Sequence, residues 1–201
     1  LGESIDLSSP AAQFAFDLNT NPFYIKNQQN YINLAGVEQL NTLDHISLLD
    51  IYMSAHQIIE PHYHQNAAQT IYCISGSVTV SILSPFTKQI LNYTITPGQI
   101  VNVPKGWWHY ELALTDQTHL LAIFNAPMPE VILGSDLLKL TPANIMAYTY
   151  CIPEQLWREA IARVKPATFI GPACNPSALS HGAGHTGNLN KTVDMQSNVQ
   201  S

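Results

Sequence analysis

Residues 60–76 read EPHYHQNAAQTIYCISG, and the reading of this stretch decides the fold. It sets His62 and His64 at i and i+2, then a polar turn, then Gln69 at the head of a second apolar run. Side chains alternate faces along an extended strand, so the two imidazoles point the same way with Cα atoms roughly 6.5 Å apart. Two such imidazoles can share one metal ion. Gln69 stands across the short loop 65–68, and a third histidine, His109, follows the turn PKGWW. Two strands and a later hairpin can bring four ligand-bearing side chains together.

The pattern on both sides of this stretch is that of short strands. ISLLDIYM and IIEPHYH precede it, TIYCISGSVTVSIL bends at Ser75 and Gly76, and QILNYTI, QIVNVP, HYELAL and HLLAIFNAP continue after it. Runs of five to seven residues punctuated by turn signals about every ten residues mark an antiparallel sandwich or barrel. The expected fold class is therefore all-β, with the barrel over 31–129. Residues 1–30, broken by Pro10 and Pro22, read as an N-terminal arm or short strands packed on the barrel. Thr141 and Pro142 predict a helix to about Tyr150, and Pro153 opens a second whose apolar positions recur at helical spacing, so 130–171 reads as a C-terminal helical segment. Its apolar stripe must bury against the barrel or a partner subunit. Residues 172–201, rich in Gly, Ser and Asn, read as an extended or flexible tail.

Composition narrows the function classes. The chain has 201 residues, room for one sizeable core with appendages, and its charged content is 11%, against roughly 25% in ordinary domains. A formal charge of -6, with 8 basic residues scattered singly, offers no patch to phosphate backbones, so nucleic acid is not an expected partner. No apolar run reaches the roughly 20 residues of a membrane helix, and no signal-peptide pattern is present. No membrane partner is expected, and cytoplasmic and secreted or cell-surface placements both stay open. Cys73, Cys151 and Cys174 are too few and too widely spaced for a disulfide framework or a thiolate metal site.

The histidine constellation resembles the cupin superfamily, and within it the germin and oxalate decarboxylase group. The first motif of that family matches His62, His64, position 69 and Gly76; the second matches Pro97, Gly98, Pro104, Gly106 and His109. VPKGWWHY, FNAP and the segments SDLL and LTP are most similar to the second cupin domain of two-domain oxalate decarboxylases. The resemblance implies a single cupin barrel or jelly roll with short C-terminal helices, and a homo-oligomer. It also implies a metal held by His62, His64, residue 69 and His109, with manganese first and iron, nickel or zinc as alternatives.

This chain departs from the family pattern at the acidic ligand. Gln69 stands where glutamate is usual; its carbonyl oxygen can bind a divalent ion, and oxygen with imidazole donors suits Mn, Fe, Ni or Zn. Four neutral donors leave the ion its full charge, which weakens its binding and favours an anionic ligand. Ile59 occupies the position of the family's arginine, and NAPMPEV, with Glu130 its only acid, replaces the active-site lid. Strand parity places Glu111 on the face of His109, as an outer partner, a ligand or a general base, unless a bulge turns it to solvent. Glu111 is accordingly the catalytic candidate.

Glu60 shares parity with His62, yet Pro61 intervenes and solvent exposure is expected. Cys73 is expected to pack in the barrel, while Trp107 and Trp108 either rim the pocket or pack. His45, His56, His119, His181 and His185 carry no ligand expectation. The functional expectation is a metal-dependent oxidoreductase or lyase acting on a small carboxylate or other oxygen-rich anion. A non-catalytic binding, storage or coat-like cupin is the alternative.

Overall fold

The computed structural model describes residues 5–174. Sheet A contains β1 (Pro22–Asn27), β2 (Asn30–Ala35), β3 (Ser47–Met53), β5 (Gln69–Ser75), β8 (Ile100–Val103) and β10 (Thr118–Phe124), in the order β1-β2-β3-β10-β5-β8. Sheet B contains β4 (Ile58–Tyr63), β6 (Val78–Leu83), β7 (Ile90–Ile95), β9 (His109–Ala113) and β11 (Ile132–Leu133), in the order β11-β4-β9-β6-β7, with β12 (Ile170–Gly171) also pairing with β4. All strand pairs are antiparallel. The molecule is mostly β, as the strand spacing predicts. β1 lies within the stretch read as an arm and forms the outer edge of sheet A.

Alternation explains how the sheets close on each other. In β10 every second residue from Thr118 to Phe124 is buried and the intervening ones are not. Ile51 of β3, Ile71 and Cys73 of β5 and Leu120, Ala122 and Phe124 of β10 meet Val78, Val80 and Ile82 of β6 in one core. Cys73 is fully buried there and acts as a small apolar side chain. The turn joining β5 to β6 needs Gly76: its φ is 75°, and a Cβ would come within 2.7 Å of Thr118 Cα.

One irregularity organises sheet B. β4 and β9 pair Ile59 with Glu111 and His62 with His109, so two residues, Glu60 and Pro61, oppose one residue of β9. This is a β-bulge, and Pro61, which has no N–H to give to a ladder, suits it. The extra residue keeps Ile59, His62 and His64 buried inside while turning Glu60 outward. Solvent exposure of Glu60 was the expectation; the carboxylate is instead buried beneath the C-terminal segment. It accepts hydrogen bonds from Ser135 N (3.0 Å), Ser135 Oγ (3.2 Å) and Phe169 N (2.9 Å).

That segment contains α1 (Gly134–Leu140), α2 (Ala143–Tyr150) and α3 (Glu154–Ile161). The two helices expected from Pro142 and Pro153 are present, and α1 is an addition. Gly134 lets α1 begin close to the barrel, because a Cβ there would meet Pro61 O at 2.9 Å. α3 packs on α2 and contains no buried residue, so its apolar stripe is not covered by the barrel. Among the described residues no helix is long and apolar enough to cross a membrane. The tail from 175 onward, with His181 and His185, lies outside the described residues.

Glu60→Ala removes three hydrogen bonds to a buried carboxylate and leaves Ser135 N and Phe169 N without their acceptor. It should lower unfolding free energy by about 2–3 kcal/mol in urea denaturation. A change under ~0.5 kcal/mol would mean that water replaces the carboxylate at no cost.

Candidate metal centre

The three histidines come from two neighbouring strands of sheet B. His62 lies in β4, His64 just beyond its end, and His109 opens β9 directly opposite His62. Their ring nitrogens come together so that one ligand atom from each lies within 4.8 Å of the others. His62 and His109 ring centroids are 4.1 Å apart, His62 and His64 5.0 Å, and Phe124 packs on His64 at 4.7 Å. All three are buried, at 3%, 5% and 1% exposure for His62, His64 and His109.

Backbone carbonyls choose the tautomer of each ring. His62 Nδ1 donates to Glu60 O at 2.7 Å, His64 Nδ1 to Glu130 O at 2.8 Å, and His109 Nδ1 to Trp107 O at 2.8 Å. With Nδ1 carrying the hydrogen in each neutral ring, Nε2 presents a lone pair. Burial then pushes every ring toward the neutral form. Desolvation holds His62 well below its ordinary value, lowers His64, and brings His109 to about 4.

Gln69 and Glu111 complete the cluster. Gln69, which opens β5 of sheet A, is 3% exposed and reaches across the barrel; Glu111 is 1% exposed. The Gln69 amide donates through Nε2 to Glu111 Oε1 at 3.1 Å, which turns its Oε1 toward His109 Nε2 at 2.7 Å. With Nδ1 carrying the ring hydrogen, a proton or a cation between these two atoms reconciles their facing lone pairs. His64 Nε2 is also buried without a hydrogen-bond partner. The donor set therefore fits a divalent cation, with three imidazoles and one amide oxygen facing a shared space.

The alternation of β9 turns Glu111 inward, with Ile59 and Val80 as its cross-strand neighbours. Desolvation raises its carboxyl to about 8, partly offset by the hydrogen bond from Gln69. Its Oε2 is buried and has no hydrogen-bond partner. Ile59 packs in the core, so the site of the family's arginine is an apolar wall. Segment 125–130 is tied to loop 65–68. Asn66 Nδ2 donates to Met128 O, Glu130 N to Asn66 Oδ1 and Ala68 N to Asn125 Oδ1. The Glu130 carboxylate accepts from Gln65 Nε2 at 3.0 Å, on the exposed side.

Trp107 is half-buried against the core and Phe86, whereas Trp108 lies outside the barrel beside Tyr63 and Gly134. The sequence reading missed a second polar cluster, on the outer face of sheet A. There Tyr31, Tyr52 and His119 stack at 4.5 and 4.0 Å, and His119 Nε2 donates to Asp50 Oδ1 at 2.6 Å. Burial and the neighbouring Asp50 push the Tyr52 phenol up to about 12. Their parity on adjacent strands was the available signal, but it required the β2-β3-β10 pairing.

A protein-family model described as Cupin matches residues 16–148. Germin-like protein subfamily 2 member 1 of Arabidopsis thaliana is 28% identical over 123 residues, covering 59% of this chain and 55% of the relative. Germin-like protein 2-3 of Oryza sativa subsp. japonica is 30% identical over 95 residues, covering 46% and 42%. The chain thus spans about half the length of the curated relatives it matches. Oxalate decarboxylase from Bacillus subtilis aligns with TM-score 0.66 at 19% identity over 80% of this chain and 43% of that one. Procruciferin, an 11S globulin of Brassica napus, aligns with TM-score 0.70 at 17% identity over 78% and 42%. These structural likenesses establish a common fold.

The pKa shifts set opposite pH dependences for the metal-free protein. The lowered histidines contribute stability that is fully present above their ordinary value of 6.5 and lost as pH falls toward 4. Glu111 contributes stability that is present below its ordinary value of 4.5 and lost as pH rises through about 8. The chelated protein should therefore melt at a lower temperature at pH 8.5 than at pH 6.5, and Glu111→Gln should remove that decline. An equal decline in the variant would place the titrating group elsewhere.

Proposed function

Because the chain belongs to the cupin family, we propose that its barrel holds a divalent transition-metal ion through His62, His64, Gln69 and His109 and acts on a small carboxylate or other oxygen-rich anion. The observation that carries this reading is the convergence of His62, His64 and His109, whose ligand nitrogens lie within 4.8 Å of one another, with Gln69 Oε1 2.7 Å from His109 Nε2. Manganese is the first choice among Mn, Fe, Ni and Zn, since the related fold of Bacillus subtilis oxalate decarboxylase has Mn(II) centres. The ion would supply Lewis acidity toward an oxygen ligand.

The chain's own residues do the rest in this reading. Three Nδ1–H bonds to carbonyls hold the imidazoles in orientation, as is usual for metal-binding histidines. Gln69, being neutral, leaves the site its full attraction for an anion. Glu111 holds a proton at a carboxyl with one unpartnered oxygen, and can give or take it where substrate enters. Ile59 offers no charge, so the anion is anchored without a guanidinium. Barrel residues 31–129 carry the site in this division of the chain. Exposed Ile25, Ile100, Leu140, Tyr148 and Leu156 support a homo-oligomer, in which such apolar surface would be covered.

A second reading, a non-catalytic binding, storage or coat-like cupin with a degenerate metal site, is favoured by the neutral Gln69 at the usual acidic position and by the burial of all three histidines. Metal analysis of protein purified without chelator distinguishes the two. The first reading expects near-stoichiometric metal, a melting temperature raised by added Mn, Fe, Ni or Zn, and turnover of a small carboxylate. Bound metal without turnover across a carboxylate panel selects the second. Gln69→Glu should raise metal affinity at least roughly tenfold by returning a charge. Absent or substoichiometric metal with an unchanged melting temperature overturns the first reading and selects the second.

A further inference from the structure

We propose that the pocket on the outer side of β4 and β9, roofed by α1 and the 162–168 turn, binds an amphipathic monocarboxylate with an alkyl chain of roughly eight to ten carbons. The cavity measures about 430 Å³, within the roughly 300–1,000 Å³ of small-molecule sites. At the ~30 Å³ that a water occupies in the liquid, it holds roughly ten to fourteen non-hydrogen atoms. Its walls are apolar: Pro61, Trp108, Leu137, Leu138 and Val164 line it.

Its rim is cationic in an acidic protein. Arg163 and Lys165 both line the pocket and are exposed. The chain carries only 8 basic residues and a formal charge of -6, so two cations at one apolar opening reverse the prevailing sign. Three other basic side chains are engaged: Arg158 pairs with Glu154, Lys26 donates to Gln57 Oε1 and Pro172 O, and Lys139 donates to Ile161 O. Arg163 and Lys165 have no ion-pair partner among the described residues. Glu60, the acid nearest them in the lining, is only 8% exposed and its oxygens already accept from Ser135 and Phe169. It cannot reach out to neutralise the rim, and its charge on the inner side repels a carboxylate head. Both effects orient a ligand with its head at Arg163 and Lys165 and its chain among the apolar walls.

This site is independent of the metal. Pro61 and Trp108 precede His62 and His109 in sequence, but they face the C-terminal segment. Decanoate binding should therefore survive chelation.

Isothermal titration of the full chain with butyrate, octanoate, decanoate and decan-1-ol, before and after chelation, tests the proposal. Affinity should rise roughly fourfold per methylene from butyrate to decanoate, at one ligand per chain, and decan-1-ol should bind at least tenfold more weakly than decanoate. The double variant Arg163→Gln, Lys165→Gln, on an exposed turn, should weaken decanoate at least tenfold and leave decan-1-ol unchanged. Leu138→Trp should abolish both without changing the melting temperature. No saturable decanoate binding, or equal binding by the double variant, overturns the proposal. So does a result in which decanoate fails to bind and Leu138→Trp dissociates an oligomer in light scattering, since the face is then a contact between copies.

Discussion

The bulge at Glu60 and Pro61 is the constraint on which the rest of the molecule depends. A regular strand has one inner and one outer face, and strict alternation would put Glu60 on the same side as His62 and His64. Two residues against one in β9 break that alternation. The histidines then face the core while the neighbouring carboxylate faces the C-terminal segment, where it holds Ser135 and Phe169. A single inserted residue thus serves both the interior cluster and the packing of α1 and β12 on the barrel.

The interior cluster is governed by desolvation. Three imidazoles and a carboxyl at 1–5% exposure cannot afford charge, so the rings stay neutral and Glu111 keeps its proton to about 8. Backbone carbonyls take the Nδ1 hydrogens, and the amide of Gln69 is turned by Glu111. The three Nδ1 hydrogens are thus directed to the backbone, and the opposite nitrogen of each ring is left for the shared space. The convergence of acceptors follows from the wiring of the surrounding backbone as much as from the histidines themselves.

The sequence carried the strands well because alternation and turn residues are local signals. The His-x-His spacing, the loop before Gln69 and the turn before His109 were legible for the same reason. Glu111 was legible only in parity, since whether β9 continues regularly past His109 depends on its neighbours β4 and β6. Glu60 was expected to meet solvent because Pro61 interrupts the strand; it does leave the histidine face at the bulge, but the segment carrying Ser135 and Phe169 covers it, and no local signal announces that covering. α1 went unread because GSDLLKL is one short element that opens on glycine, with no side chain of Ser, Thr, Asn or Asp at its N-cap position. The stack of Tyr31, Tyr52 and His119 could not be read at all without the strand order.

Gln69 differs from the other members of the cluster in where it is mounted. His62, His64 and His109 belong to sheet B or its margin, whereas Gln69 is the first residue of β5 in sheet A. The contact between Gln69 and His109 therefore spans the two halves of the sandwich, 40 residues apart along the chain. A group that draws these atoms together acts as a rivet between the sheets, and its influence is mechanical as well as chemical. Separation of the sheets would have to break it first, so occupancy of the cluster would be felt in the rate at which the barrel opens.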